Sequence, residues 1–195
     1  MAEGSIEVLP TGAQAPDFEL RGTDGETYSL DDFADNEAVL LVFTCNHCPY
    51  AKAKFDHLNE LAAESGDVAV VGVNPNANPD YPDDSFERMQ ELVEDGTIQY
   101  DAYLFDEDQT VAAEYGAVCT PDPFLLARTN GSFEVAFHSR LDDALNPDDE
   151  PTRREMREAI DALLAGDEIP LDENPSRGCS IKWRDGNEPD YWDQV

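Results

Sequence analysis

Lysine is almost missing from this sequence: three of the 12 basic residues are lysines, and they stand against 44 aspartates and glutamates, for a formal net charge of -32. So little positive charge excludes the phosphate-tracking surfaces of nucleic-acid binders and the basic patches that hold proteins to anionic membranes. The acidic residues run along the whole chain, an arrangement that molar salt screens and that suits a halophilic, salt-accumulating cytoplasm. The melting temperature should therefore climb with KCl concentration; a melting temperature indifferent to KCl would count against a halophilic chain.

Long apolar runs are missing too. No segment approaches the ~18–20 apolar residues that span a bilayer, and residues 1–15 hold no basic stretch followed by an apolar run. The expectation is a soluble cytoplasmic protein with neither nucleic acid nor membrane as partner. Cysteine is sparse: four residues in 195 are too few for a secreted disulfide scaffold. In a reducing compartment a close pair among them points to catalysis or to metal.

What is present is a strand and helix grammar. Around Ala15-Pro16-Asp17-Phe18 and Thr27-Tyr28-Ser29-Leu30 the pattern predicts a small hairpin, with Ser29 and Asp32 as a capping pair. Ala38–Phe43 is a continuous apolar run, as in a strand buried on both faces. A helix is predicted from Pro49 to about Glu64 on the spacing of Phe55, Leu58 and Leu61, then a second buried strand over Val68–Val73. Phe86, Met89, Leu92 and Val93 mark another helix, and the segment between, Asn74 to Asp84, is a loop rich in Asn, Pro and Asp that overhangs the carboxyl end of a strand.

Next along the chain come a short strand at Tyr103–Phe105 and a helix from Gln109 to Tyr115. The turn Asn130-Gly131 joins two further strands as an antiparallel hairpin. Thr152 and Glu155 read as a capping box for a last helix that ends at Gly166. The division expected is a domain over residues 1–165 with an N-terminal hairpin extension, and an irregular C-terminal tail over 166–195 packed on it.

The chemistry lies in Cys45-Asn46-His47-Cys48-Pro49, between a buried strand and a helix start. Unpaired N–H groups and the helix dipole at such a place favour an anion and lower a thiol pKa. Cys45, the first and expected to be the more exposed, reads as the nucleophile, and Cys48 as the resolving thiol three residues on. His47 between them is a candidate pKa-tuning group, whereas His57 and His138 read as ordinary helix and strand residues.

The run Val39 to Pro49, the segment Gly116-Ala117-Val118-Cys119-Thr120-Pro121 and the opening Ala15-Pro16-Asp17-Phe18 together resemble the thioredoxin-like superfamily, and within it the peroxiredoxin-like, AhpC/TSA-related group. The resemblance spans roughly residues 10–165. It implies an α/β, thioredoxin-like fold with a central mixed sheet flanked by helices. It also implies that the Cys-x-x-Cys faces a cis-Pro121, with Thr120 pairing its backbone to an extended substrate. Cys119 then lies near the first two sulfurs, and Cys179 in the tail is expected to join it as a second redox pair.

The peroxidatic pattern Pro-x-x-x-Thr-x-x-Cys is not met. Cys45 would need Thr and Pro where Val42 and Ala38 stand, and Cys48 would need them at Cys45 and Leu41. The function expected is thiol–disulfide oxidoreductase chemistry on protein or small disulfides, with a thiol reductant and no cofactor. A weak thiol-dependent peroxidase is one alternative. The other is a non-enzymatic zinc or copper(I) site built from Cys45, Cys48, Cys119 and His47.

Overall fold

The computed structural model describes residues 2–3, 8–64 and 66–194. In chain order the strands are β1 (Ala2–Glu3), β2 (Leu20–Gly22), β3 (Thr27–Tyr28), β4 (Ala38–Phe43), β5 (Val68–Asn74), β6 (Ala102–Phe105), β7 (Cys119–Thr120), β8 (Asp122–Thr129), β9 (Ser132–His138) and β10 (Arg177–Ser180). The helices are α1 (Pro49–Lys52), α2 (Phe55–Glu64), α3 (Phe86–Glu94), α4 (Thr110–Tyr115) and α5 (Glu155–Leu164). Seven strands form one mixed sheet in the order β3-β2-β6-β5-β4-β8-β9, with β4, β5 and β6 parallel and the outer pairings antiparallel.

The six residues of β4 are fully buried because both faces of the sheet are covered. Val39, Leu41 and Phe43 enter one core with Val71, Val73, Tyr115 of α4 and Phe124; Ala38, Leu40 and Val42 enter the other with Leu58 of α2 and Met156 and Ile160 of α5. Burial of each such Val, Leu or Phe contributes about 1.5–3 kcal/mol, so β4 is the spine of both cores.

The predicted hairpin forms as β2 and β3 and docks on β6, with the Ser29–Asp32 box closed at its end. The β8–β9 turn places Asn130 and Gly131 at positive φ, 51 and 90°, the backbone that a two-residue turn between right-twisted strands requires. Three expectations need correction. The predicted helix from Pro49 is two helices, because at Lys54 the backbone tightens to bond Ala51. Val93 faces solvent, 38% exposed, and stays off the buried face of α3. The Thr152–Glu155 capping box does not form: Thr152 bonds Asp143, Arg154 is the N-cap, and Glu155 pairs with Arg140.

The tail is more ordered than its periodicity implied. β10 pairs antiparallel with β7, and Ile181 and Trp183 enter the core around β4, both under 8% exposed. Loop residues fasten it down: Lys182 N–H donates to Asn76 Oδ1 at 2.8 Å, Asn78 Nδ2 to the Trp183 carbonyl at 2.9 Å, and Arg184 N–H to Gln109 Oε1 at 2.8 Å.

Candidate active site

Sheet register brings the chemistry to one end of the fold. Phe43 at the end of β4 stands opposite Val73 of β5 on one side and Asp122 of β8 on the other. The segments just after Phe43, just after Val73 and just before Asp122 therefore meet there. The first carries Cys45, His47 and Cys48, the second is the Asn74–Asp84 loop, and the third carries Cys119 and Thr120 before Pro121. The Thr120–Pro121 peptide bond is cis.

Both sulfurs of the Cys-x-x-Cys meet Thr120. Cys45 Sγ lies 3.1 Å from Thr120 Oγ1, and the Cys48 thiol donates to the Thr120 carbonyl at 3.4 Å. Pro49 opens α1 with Cys48 as its N-cap residue in extended backbone, so the helix start belongs to the second cysteine. Neither sulfur residue is exposed, both at 0%, which corrects the expectation that Cys45 is the accessible one.

The electrostatic order is also the reverse of that expected. Burial pushes the Cys45 thiol well up, aided by its contact with Cys48 and by the nearby Asp84 carboxylate, with the Thr120 hydroxyl opposing. Cys48 is held down to about 5: the Cys45 thiol bonds its thiolate, and, against the cost of burial, so do the Cys179 thiol and the N–H groups of Ala51 and Cys179. An anion at the first turn of α1 is what the free N–H groups and dipole there favour. Between the two sulfurs, negative charge is therefore favoured on Cys48 and disfavoured on Cys45.

Asp84 was not singled out by the sequence and is the hub of the site. Fully buried, it accepts Asn46 N–H at 2.7 Å and His47 N–H at 3.0 Å through Oδ1, and Asn76 Nδ2 at 2.7 Å through Oδ2. His47 Nδ1 also bonds Oδ2, and its ring stacks on Tyr81 at 5.6 Å. Two more unpredicted residues set the loop: Asn74 Nδ2 donates to the Asp84 carbonyl at 3.0 Å, and Tyr103 OH donates to Asn46 Oδ1 at 2.7 Å. His47 is therefore tied first to a carboxylate, with the Cys45 sulfur, a His47 nitrogen and an Asp84 oxygen all within 4.8 Å of one another.

The expected Cys119–Cys179 pair is not assembled. Cys179 is opposite Thr120 and Ser180 opposite Cys119 in the β7–β10 ladder, so the two cysteines point to opposite faces. Cys119 packs with Val118 against Tyr191 and Trp192, and burial raises its pKa well up. Cys179 instead joins Cys45, Cys48 and Tyr50. All four thiols are free. The ladder also alters the role expected of Thr120: its backbone edge is taken by the chain's own β10, and an external strand would have to displace it. With Cys119 turned away, the sulfur-rich metal set anticipated from Cys45, Cys48, Cys119 and His47 does not converge; among the described residues the donors that do are Cys45, His47 and Asp84.

The sequence model described as the AhpC/TSA family matches residues 11–135. Over 124 residues the chain is 31% identical to the thiol:disulfide interchange protein DsbE of Escherichia coli K12, a match that takes in 63% of this chain and 62% of that protein. The chain thus spans under two thirds of the length of that relative. A crystal structure of a hypothetical protein from Sinorhizobium meliloti 1021 superposes with a TM-score of 0.87 at 32% identity, over 95% of this chain and 100% of that one. One of an uncharacterized conserved protein from Geobacillus kaustophilus gives 0.85 at 37%, over 94% and 97%.

Proposed function

This chain belongs to the AhpC/TSA family, and on that footing we propose that it is a thiol–disulfide oxidoreductase using the Cys45–Cys48 dithiol on protein or small-molecule disulfides. One observation carries the reading: two sulfurs share one buried site at a helix start, both in contact with Thr120, with the anion stabilised on one of them. The interchange chemistry named for the Escherichia coli relative supports it.

In the forward step the Cys48 thiolate attacks a substrate disulfide, a new S–S bond forms, and the departing substrate sulfur leaves as thiolate and takes a proton. Cys45 then loses its proton and attacks Cys48 Sγ. The second substrate sulfur is released as a thiol, the substrate has gained two electrons, and the protein holds a Cys45–Cys48 disulfide. An external thiol reductant reverses the protein's half. A reducing cytoplasm suits an enzyme that must regain its dithiol. Hydroperoxide turnover has less support, since Val42 and Ala38, or Cys45 and Leu41, stand where threonine and proline would position a peroxide.

Disulfide reduction measured with an insulin-type substrate and a dithiol reductant tests the assignment. Cys45→Ser and Cys48→Ser should each lower the rate at least about a hundredfold, since each removes one half of the exchange. The thiolate ultraviolet absorbance should titrate near pH 5 in the parent protein and vanish from that range in Cys48→Ser. Full activity without either sulfur would refute the dithiol reading, and an absorbance step kept in Cys48→Ser would return the thiolate to Cys45.

A further inference from the structure

We propose that Cys179 is a third exchanging thiol, which takes Cys48 from Cys45 and, once bonded to it, locks strand β10 across the Thr120 edge. The inference rests on the dithiol reading above and adds a residue and a closed state to it.

Placement carries the argument. Side chains directly opposite in an antiparallel ladder share a face, so Cys179 lies on the Thr120 side chain's side of the ladder. Thr120 is the residue that both Cys45 and Cys48 touch, at 3.1 and 3.4 Å. Cys179 accordingly packs into the cluster formed by Cys45, Cys48 and Ala51, and its thiol and N–H both favour the Cys48 thiolate. Cys48 is thus flanked by two thiols.

The neighbouring residue explains how the tail comes so close. A Cβ built on Gly178 would collide with the Thr120 carbonyl oxygen and stand 2.6 Å from its carbon, so only glycine lets β10 reach this edge. The strand occupies the backbone that an extended disulfide substrate would use, and it presents a cysteine there. Cys179 is also the one cysteine of the four that is partly exposed, and the Lys182 ammonium favours its thiolate against the burial that raises its pKa.

The chemistry balances without a further oxidant once exchange has begun. With the Cys45–Cys48 disulfide formed, Cys179 gives up its proton and attacks Cys48 Sγ; the Cys45–Cys48 bond breaks, a Cys48–Cys179 bond forms, and Cys45 leaves as thiolate and takes the proton. No net electron is gained or lost. The new bond ties α1 to β10, so the edge closes to substrates until a reductant cleaves it, whereas the Cys45–Cys48 bond leaves β10 free to lift.

The test uses the full chain equilibrated in a buffer of glutathione and glutathione disulfide, acid-quenched, alkylated and mapped by mass spectrometry. The parent should contain both Cys45–Cys48 and Cys48–Cys179 disulfides. Cys45→Ala should form only Cys48–Cys179, with proteolysis of the tail slowed at least about tenfold on oxidation, and Cys179→Ala only Cys45–Cys48. Should alanine at position 45 prevent folding, Cys45→Ser replaces it. Oxidised Cys45→Ala in which Cys48 and Cys179 are both alkylated or glutathionylated, beside a Cys179→Ala that forms Cys45–Cys48 normally, would overturn the latch and leave the dithiol standing. Failure of Cys179→Ala to form Cys45–Cys48 would instead strike at the dithiol itself.

Discussion

Gly178→Ala is expected to lift β10 from the Thr120 edge and to raise the alkylation rates of Cys45 and Cys48 at least about tenfold. The atoms an added methyl group would strike, the Thr120 carbonyl oxygen and carbon, are backbone, so no rotamer change relieves the clash. Overpacking of this kind costs about 1–3 kcal/mol when neighbours adjust. Here the adjustable partner is the strand, since Thr120 precedes β8, an interior strand of the seven-stranded sheet. Timed alkylation and mass mapping, alongside a denaturant melt, provide the measurement. Unchanged rates at both sulfurs with unchanged stability would show that β10 does not roof the site.

Asp84→Ala should be the most destabilising single change in the loop, about 3–5 kcal/mol, because it strands the buried partners of a fully buried carboxylate. Asn46 N–H, His47 N–H and Asn76 Nδ2 lose acceptors at 2.7, 3.0 and 2.7 Å, and the His47 ring loses its partner. Asp84→Asn keeps an acceptor for the two backbone N–H groups and should cost less. Both variants remove a negative charge that pushes the Cys45 thiol up, so the Cys45 pKa falls. The pH at which Cys45 begins to react therefore moves down, the same direction in each. Chemical denaturation and pH-resolved alkylation separate these effects; an Asp84→Ala protein as stable as the parent would remove Asp84 from the centre of the site.

The strands of the sheet were legible because burial on two faces leaves no polar residue along Ala38–Phe43 and little choice of structure for it. The position of the dithiol followed from that strand and from Pro49 after it. The details that decide its chemistry were not legible, for reasons of register. Whether Cys179 faces Cys119 or Cys48 depends on a single-residue offset between two strands far apart in the chain, and such a slip exchanges every side chain between faces. Asp83 and Asp84 are alike in type and adjacent, yet one is exposed and the other wholly buried; no spacing rule chooses between them in a loop. The helix begins at Pro49 as predicted, but Cys48, as its N-cap residue, is the thiol whose anion the Ala51 N–H favours, where the motif alone assigns that role to Cys45.

Trp183 and Trp192 are the chain's two tryptophans, and their rings meet edge to face at 5.8 Å between centroids. Both belong to the segment that carries β10, one sunk in the core and the other packed against it. Red-edge-excited fluorescence of this protein therefore originates in that segment and reports its contact with the core. Loosening of the roof registers as a change of emission while the circular dichroism of the sheet stays constant.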